Sequence, residues 1–312
     1  AGQVHLTSTA THEPPAAPNQ PQPSAAPAAS SIIEIYGHSL GDHLRRMDLR
    51  GALDLATGRW SLTANIAGLD ISPELHAALP SCICQQIGDL PLRAKSSAHI
   101  SVGYDPNRAQ PWKFQADVSI TEGRIDDHRL PYPLSDLKAR LHVSDQRLVV
   151  EELSASYQQT SLKAAMVRHG WHDNSPCEIR LEGRQVLLDP KLTQTFPDLA
   201  EVWGWLLPTG QIDIDATLRY DGHTWHPQVT LTALDCSFAY DEFPYRFQRT
   251  TGTIAVDGKR WTMNLTCHAG AVPVRLQGSL HGFGDECVGW VEAVGHPLQV
   301  DQELIAAIPE EA

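Results

Sequence analysis

A seven-residue block recurs three times along this chain, so the chain must fold as stacked copies of one unit. The first copy is Leu69-Asp70-Ile71-Ser72-Pro73-Glu74-Leu75, ending in Leu79-Pro80. The second is Val186-Leu187-Leu188-Asp189-Pro190-Lys191-Leu192, ending in Phe196-Pro197, and the third is Leu298-Gln299-Val300-Asp301-Gln302-Glu303-Leu304, ending in Ile308-Pro309. They begin 117 and 112 residues apart. Between them, Trp112 and Gln115 match Trp225 and Gln228 at a shift of 113, and Leu130-Pro131-Tyr132-Pro133-Leu134 matches Phe243-Pro244-Tyr245-Arg246-Phe247 at the same shift. Tyr104-Asp105 falls on Tyr220-Asp221 at 116, and Leu162 on Val274 at 112. Such drift fits loops that change length between repeated strands, where insertions cost little.

The alternation of residue types says what the unit is made of. From Gln211 to Tyr220, Ile212, Ile214, Ala216, Leu218 and Tyr220 alternate with Gln211, Asp213, Asp215, Thr217 and Arg219. A period of two is the mark of a half-buried strand. It recurs at Phe114, Ala116, Val118 and Ile120, at Leu137, Ala139, Leu141 and Val143, and at Trp261, Met263, Leu265 and Cys267, and Val272, Val274 and Leu276 continue it. Thr57-Gly58, Asp221-Gly222 and Asp257-Gly258 supply tight-turn chemistry between such runs. Helices are few and short. Ser72 caps one running to Leu79, Asp189-Pro190 opens a second that reaches toward Leu199, Val202 and Leu206, and Asp301 opens a third.

About six strands fit between one short helix and the next. An even number of antiparallel strands returns the chain to its starting direction, so successive units add to one sheet. At ~4.8 Å per strand, the whole chain reaches on the order of 80 Å. The expected fold is all-β with a few short helices: an elongated, curved antiparallel sheet, a taco-like groove built from repeats of about 113 residues. The expected division is 1–58 as the end of a preceding repeat, 59–175 and 176–286 as two full repeats, and 287–312 as the start of another, in a fragment of a longer chain. Within the first, the Pro/Ala-rich stretch 13–31 is expected to be a disordered, extended loop.

A strand with four or five inward apolar residues presents ~200 Å² of apolar surface, so covering it contributes ~5 kcal/mol at about 25 cal/mol per Å². Soluble surfaces keep contiguous apolar patches to a few hundred Å². Three short helices cannot cover some fifteen such faces. Either a second sheet covers them, as in a sandwich, or the sheet curls into a trough that meets an apolar ligand.

Gly58-Arg59-Trp60-Ser61-Leu62 leading to Gly68-Leu69-Asp70-Ile71-Ser72-Pro73-Glu74-Leu75, Phe243-Pro244-Tyr245 leading to Gly252-Thr253-Ile254, and the ending Ala271-Val272-Pro273-Val274-Arg275-Leu276-Gln277-Gly278 carry a family resemblance. Over most of residues 32–312 the chain resembles the AsmA-like proteins of bacterial envelopes, the group of TamB and YhdP in the repeating β-groove superfamily. The resemblance implies a groove that carries phospholipid or other acyl-chain lipid between inner and outer membranes or supports outer-membrane biogenesis. It also implies a periplasmic body, an inner-membrane anchor outside this chain, and envelope proteins as partners at the ends of the groove. The expected groove-lining residues are Ile100, Val102, Tyr104, Ile212, Ile214, Leu218, Val229, Leu231, Met263 and Leu265.

Other classes find less support. The formal net charge of -13 disfavours nucleic acid as a partner, and no apolar run approaches the ~20 residues that span a bilayer. His169-Gly170-Trp171-His172 and His223-Thr224-Trp225-His226 have ligand-like spacing but fall in expected turns beside tryptophans expected to pack, with no Cys or carboxylate set to complete a zinc site. Asp126-Asp127 and Asp213 with Asp215 read as turn and solvent-face carboxylates. No nucleophile elbow, phosphate-cradling Gly-rich loop or His-Glu-x-x-His run is present. No cofactor, metal or enzymatic activity is expected. Six cysteines leave the redox compartment open: Cys177 and Cys287 read as repeated packing positions, while Cys82 and Cys84 could pair with unnamed partners. Tandem β-sandwich modules of a cell-surface adhesin or stalk are the rival reading, since a 113-residue period suits them too.

Overall fold

The structure, a computed structural model, describes residues 2–9, 32–78, 91–195, 199–240, 243–282 and 287–295. Their strands lie in chain order in one antiparallel sheet of sixteen. The first eight are β1 (Gly2–Thr9), β2 (Ile32–Gly41), β3 (Leu44–Asp54), β4 (Arg59–Ile71), β5 (Leu92–Tyr104), β6 (Trp112–Ile125), β7 (Leu134–Ser144) and β8 (Arg147–Tyr157). The next eight are β9 (Thr160–His169), β10 (Cys177–Leu188), β11 (Gly210–Tyr220), β12 (Trp225–Tyr240), β13 (Phe243–Asp257), β14 (Arg260–Ala269), β15 (Val272–His281) and β16 (Val288–Gly295). Three helices interrupt them: α1 (Pro73–Ala78), α2 (Leu192–Thr195) and α3 (Leu199–Leu206). Six strands, β5 to β10, separate α1 from α2, as the repeat requires. The fifteen pairings advance the sheet about 72 Å at ~4.8 Å each. No strand pairs out of sequence order, so the described residues hold one open sheet rather than tandem sandwiches.

Local chemistry explains the punctuation. Gly58, Gly222 and Gly258 occupy the left-handed region that tight turns need. The Ser72 hydroxyl accepts from the Leu75 amide at 3.2 Å and caps α1. The Asp189 carboxylate accepts from the Lys191 amide at 2.9 Å ahead of α2. The second helical stretch is thus two short helices, α2 and α3. The Pro/Ala-rich stretch 13–31, the Cys82–Cys84 pair and the segment opened by Asp301 lie outside the described residues.

Curvature comes from bulges near one end of the strands. The register slips between Ile66 and Leu69 on β4, Ile120 and Gly123 on β6, Ser135 and Lys138 on β7, Gly183 and Val186 on β10, and Gln248 and Thr251 on β13. In each slip one residue takes a left-handed backbone: Gly68, Glu122, Asp136, Gln185 and Arg249. A bulge bends its strand and adds right-handed twist, so a row of them curls the sheet. The surface is 21318 Å², against about 13,000 Å² for a compact protein of this mass.

The tightest packing lies at the bulged end. Tyr245, Leu265, Cys267, Ala269, Val274 and Leu276 form one cluster, with Phe238, Phe247 and Ile254 packed against it. In the preceding repeat the Tyr132 hydroxyl donates to the Leu187 carbonyl at 2.6 Å, and its ring stacks on Tyr157 at 4.8 Å. Tyr132 and Tyr245, matched by the repeat, are both buried at this corner. Asp127, expected in a turn, accepts through its carbonyl from the Leu130 amide at 3.0 Å, and its carboxylate is buried and gripped by Arg129 at 2.5 Å. Burial costs the carboxylate solvation, and the guanidinium beside it more than compensates, holding its pKa at about 2.

Candidate functional site: an apolar trough with an aromatic rim

Residues paired across antiparallel strands point to the same side, so the register traces each face. One row runs Met47, Ile66, Ala98, Val118 and Leu141 from β3 to β7, then Val150, Met166, Ile179, Leu218 and Pro227 from β8 to β12. It contains no polar side chain. A second row runs Ala155, Leu162, Gly183, Ile214, Leu231, Ile254, Met263, Gly278 and Val291 from β8 to β16. The opposite face carries charge: Glu178 accepts from Arg180 at 2.8 Å and Arg219 at 3.1 Å, and Asp215 accepts from Arg184 at 2.7 Å.

The ten residues expected to line a groove all lie on the apolar face. Ile100, Val102 and Tyr104 are on β5, Ile212, Ile214 and Leu218 on β11, Val229 and Leu231 on β12, and Met263 and Leu265 on β14. Nine are half-buried, walled by neighbours in the sheet but with no second sheet above them among the described residues. A facing sheet at about 10 Å would bury them fully. Leu265 alone is sealed, at 6% exposure inside the bulged-end cluster.

The two long rims differ. At the bulged rim, the 126–133 loop and helices α2 and α3 flank the end of the apolar face: the Thr195 hydroxyl on α2 donates to the Arg129 carbonyl at 2.7 Å, and α3 packs on β12. The other rim consists of hairpin tips and is lined with aromatic rings on the apolar side. Trp60, Tyr104 and Trp112 pack together, with centroids 5.4 Å apart for the two tryptophans and 5.0 Å for Tyr104 and Trp112. Tyr220 and Trp225 repeat the pair at 5.1 Å, and Phe114 lies 6.2 Å from Trp171. Trp112 and Trp225 are 56% and 51% exposed, so Trp225 is not packed as expected. Trp171 is 46% exposed, although its indole N–H donates to the Ser144 carbonyl at 2.9 Å. The sequence signal for this rim is a Trp or Tyr flanking a turn, as in Gly58-Arg59-Trp60 and Pro111-Trp112; of these rings only Tyr104 was among the expected lining.

Among the described residues, no three His, Cys, Asp or Glu side chains gather closely enough to hold a metal ion, and no helix is long and apolar enough to cross a membrane. His226 of the second histidine pair bonds Asp221 at 3.0 Å, and Asp213 accepts from the bulge amide of Gln185 at 2.8 Å. No family model matches the chain, and no curated protein or solved structure is similar to it.

Proposed function

We propose that this chain is a segment of an AsmA-like envelope protein, periplasmic and anchored by a segment outside it, whose trough conducts acyl-chain lipid between inner and outer membranes. The observation that carries this reading is the unbroken apolar row from Met47 to Pro227, of which every residue but the buried Val150 is partly exposed. Each lipid methylene taken from water into it contributes about 0.8 kcal/mol. A chain can slide along the row, because every position offers similar contacts and no polar group arrests it. Solvation, not bond-making chemistry, is the mechanism. Rings at the hairpin rim suit the boundary between hydrocarbon and water, where amphipathic aromatics settle.

The test is mass spectrometry of lipid co-purified with the protein, comparing the native chain with Ile214→Asp. The variant places a carboxylate in the centre of the apolar face, where the described residues supply no facing sheet. The expected result is bound phospholipid in the native protein and several-fold less in a variant that keeps its β-sheet circular dichroism. A native protein free of lipid after exposure to vesicles would overturn the reading.

A further inference from the structure

We propose that the hairpin rim between β4, β5 and β6 is a docking site for the phosphate-bearing head group of an acyl-chain lipid, and this rests on the trough reading above. A depression of about 420 Å³ straddles the rim there, lined by Trp60 and Tyr104 from the apolar face and by Arg59, Arg108 and Lys113. Its floor is one cross-strand row of small residues, Ala52, Ser61 and Gly103, which ends at Lys113 on β6. Those residues lie on the outer face. A tail in the trough and a head in this depression therefore lie on opposite faces of the sheet and meet around its hairpin edge, beside the Trp60, Tyr104 and Trp112 rings.

The charges select the head group. Both carboxylates at the site are already engaged. Asp105 accepts from Arg59 Nε at 3.0 Å and pairs with Arg108 Nε at 3.2 Å. Asp54 turns into its own hairpin, accepting from the Thr57 hydroxyl at 2.6 Å and the Ala56 amide at 2.9 Å. Each arginine uses the nitrogen nearest its stem, so the terminal donors remain for a ligand. Lys113 makes no ion pair among the described residues. Three cations against two carboxylates leave a local positive charge on a chain of net charge -13. Guanidinium tips and an ammonium suit the several acceptor oxygens of a phosphate.

The second repeat keeps two of the three rings, with Cys177 opposite Tyr220 where Trp60 stands opposite Tyr104, and has no counterpart of Lys113 or Arg59 at the matching places. Tyr220 and Trp225 stand where Tyr104 and Trp112 do, and Asp221 replaces Asp105. His226 occupies the place of Lys113 and is bonded to Asp221 at 3.0 Å. The head-group site thus belongs to the first repeat.

The experiment measures loading of the 312-residue chain with fluorescent phosphatidylglycerol or phosphatidylcholine of identical acyl chains, at low salt. Native protein is expected to load the anionic lipid about five- to tenfold better, the scale of one or two charge-assisted contacts. The double variant Arg108→Gln, Lys113→Gln is expected to load both lipids equally, because the cations that attract the phosphate and repel the choline ammonium are gone. Lys259→Gln, on another hairpin of the same rim, keeps the preference. Equal loading by the native chain, or a preference that survives the double variant, overturns the proposal. Loading of neither lipid sinks the trough reading instead. In that case a saturable NMR response to inorganic phosphate, lost in the double variant, upholds the phosphate site with a soluble ligand, and no response removes it.

Discussion

Asp136 and Arg249, 113 residues apart, hold the same left-handed backbone, with φ of 51° and 50°, inside equivalent bulges of β7 and β13. Gly68 and Gln185 repeat the relationship at a distance of 117, with φ of 63° and 52°. The repeat therefore encodes the positions where the sheet bends as well as its strands. Bends at matching intervals keep the curl in step along the sheet, so the trough continues from one repeat into the next.

That conformation is unfavourable for any residue with a Cβ. Arg249 is exposed, and its side chain makes no hydrogen bond or ion pair among the described residues. Arg249→Gly is expected to stabilise the protein by about 0.5–1 kcal/mol, the left-handed penalty relieved less the entropy glycine loses. Arg249→Val should destabilise it by about 1–2 kcal/mol, because a β-branched residue fits that region worst. Urea unfolding midpoints decide the matter, and a lower midpoint for the glycine variant would refute the account.

Tyr132 ties the corner of the closed rim to β10. Burial pushes its phenol up to about 12, with the charge of Asp189 adding to the shift. The unfolded chain ionises near 10. The neutral phenol therefore contributes fully below pH 10, and that contribution, on the order of 2 kcal/mol, is lost as pH rises from 10 to 12. Tyr132→Phe should flatten this part of the stability profile. At neutral pH it should cost about 1–2 kcal/mol, since the Leu187 carbonyl loses its donor. An unchanged alkaline limb in the variant would remove Tyr132 as the cause.

The rim tryptophans report on trough occupancy. Adding phospholipid vesicles is expected to shift the emission of this eight-tryptophan chain to the blue. Trp112→Phe with Trp225→Phe should remove the largest part of the shift, because these rings are over half exposed on the apolar side. A full shift in that variant would place lipid elsewhere.

Cysteine reactivity tests the sealed end. Cys267 is 0% exposed, and burial pushes its thiol up to about 11. Iodoacetamide requires the thiolate and access to it. At pH 8, peptide mapping should find Cys287, which is exposed, alkylated and Cys267 unmodified until denaturant is added. Rapid labelling of Cys267 in native protein would show that the cluster around Tyr245 opens.

Strand identity, helix caps and the apolar character of one face were legible in the sequence, because each depends on neighbours in the chain: a period of two, a serine before Pro73, a glycine in a turn. All ten expected lining residues share one face for that reason. Which strands stand opposite one another, and at what offset, depends on turn lengths and bulges summed over many strands. Only the folded sheet could therefore bring Arg59, Arg108 and Lys113 to one depression, seal Leu265 while leaving Met263 half-open, and gather aromatic rings from separate hairpins along one rim. Alternation is set residue by residue, but curvature and cross-strand offset accumulate along the whole sheet.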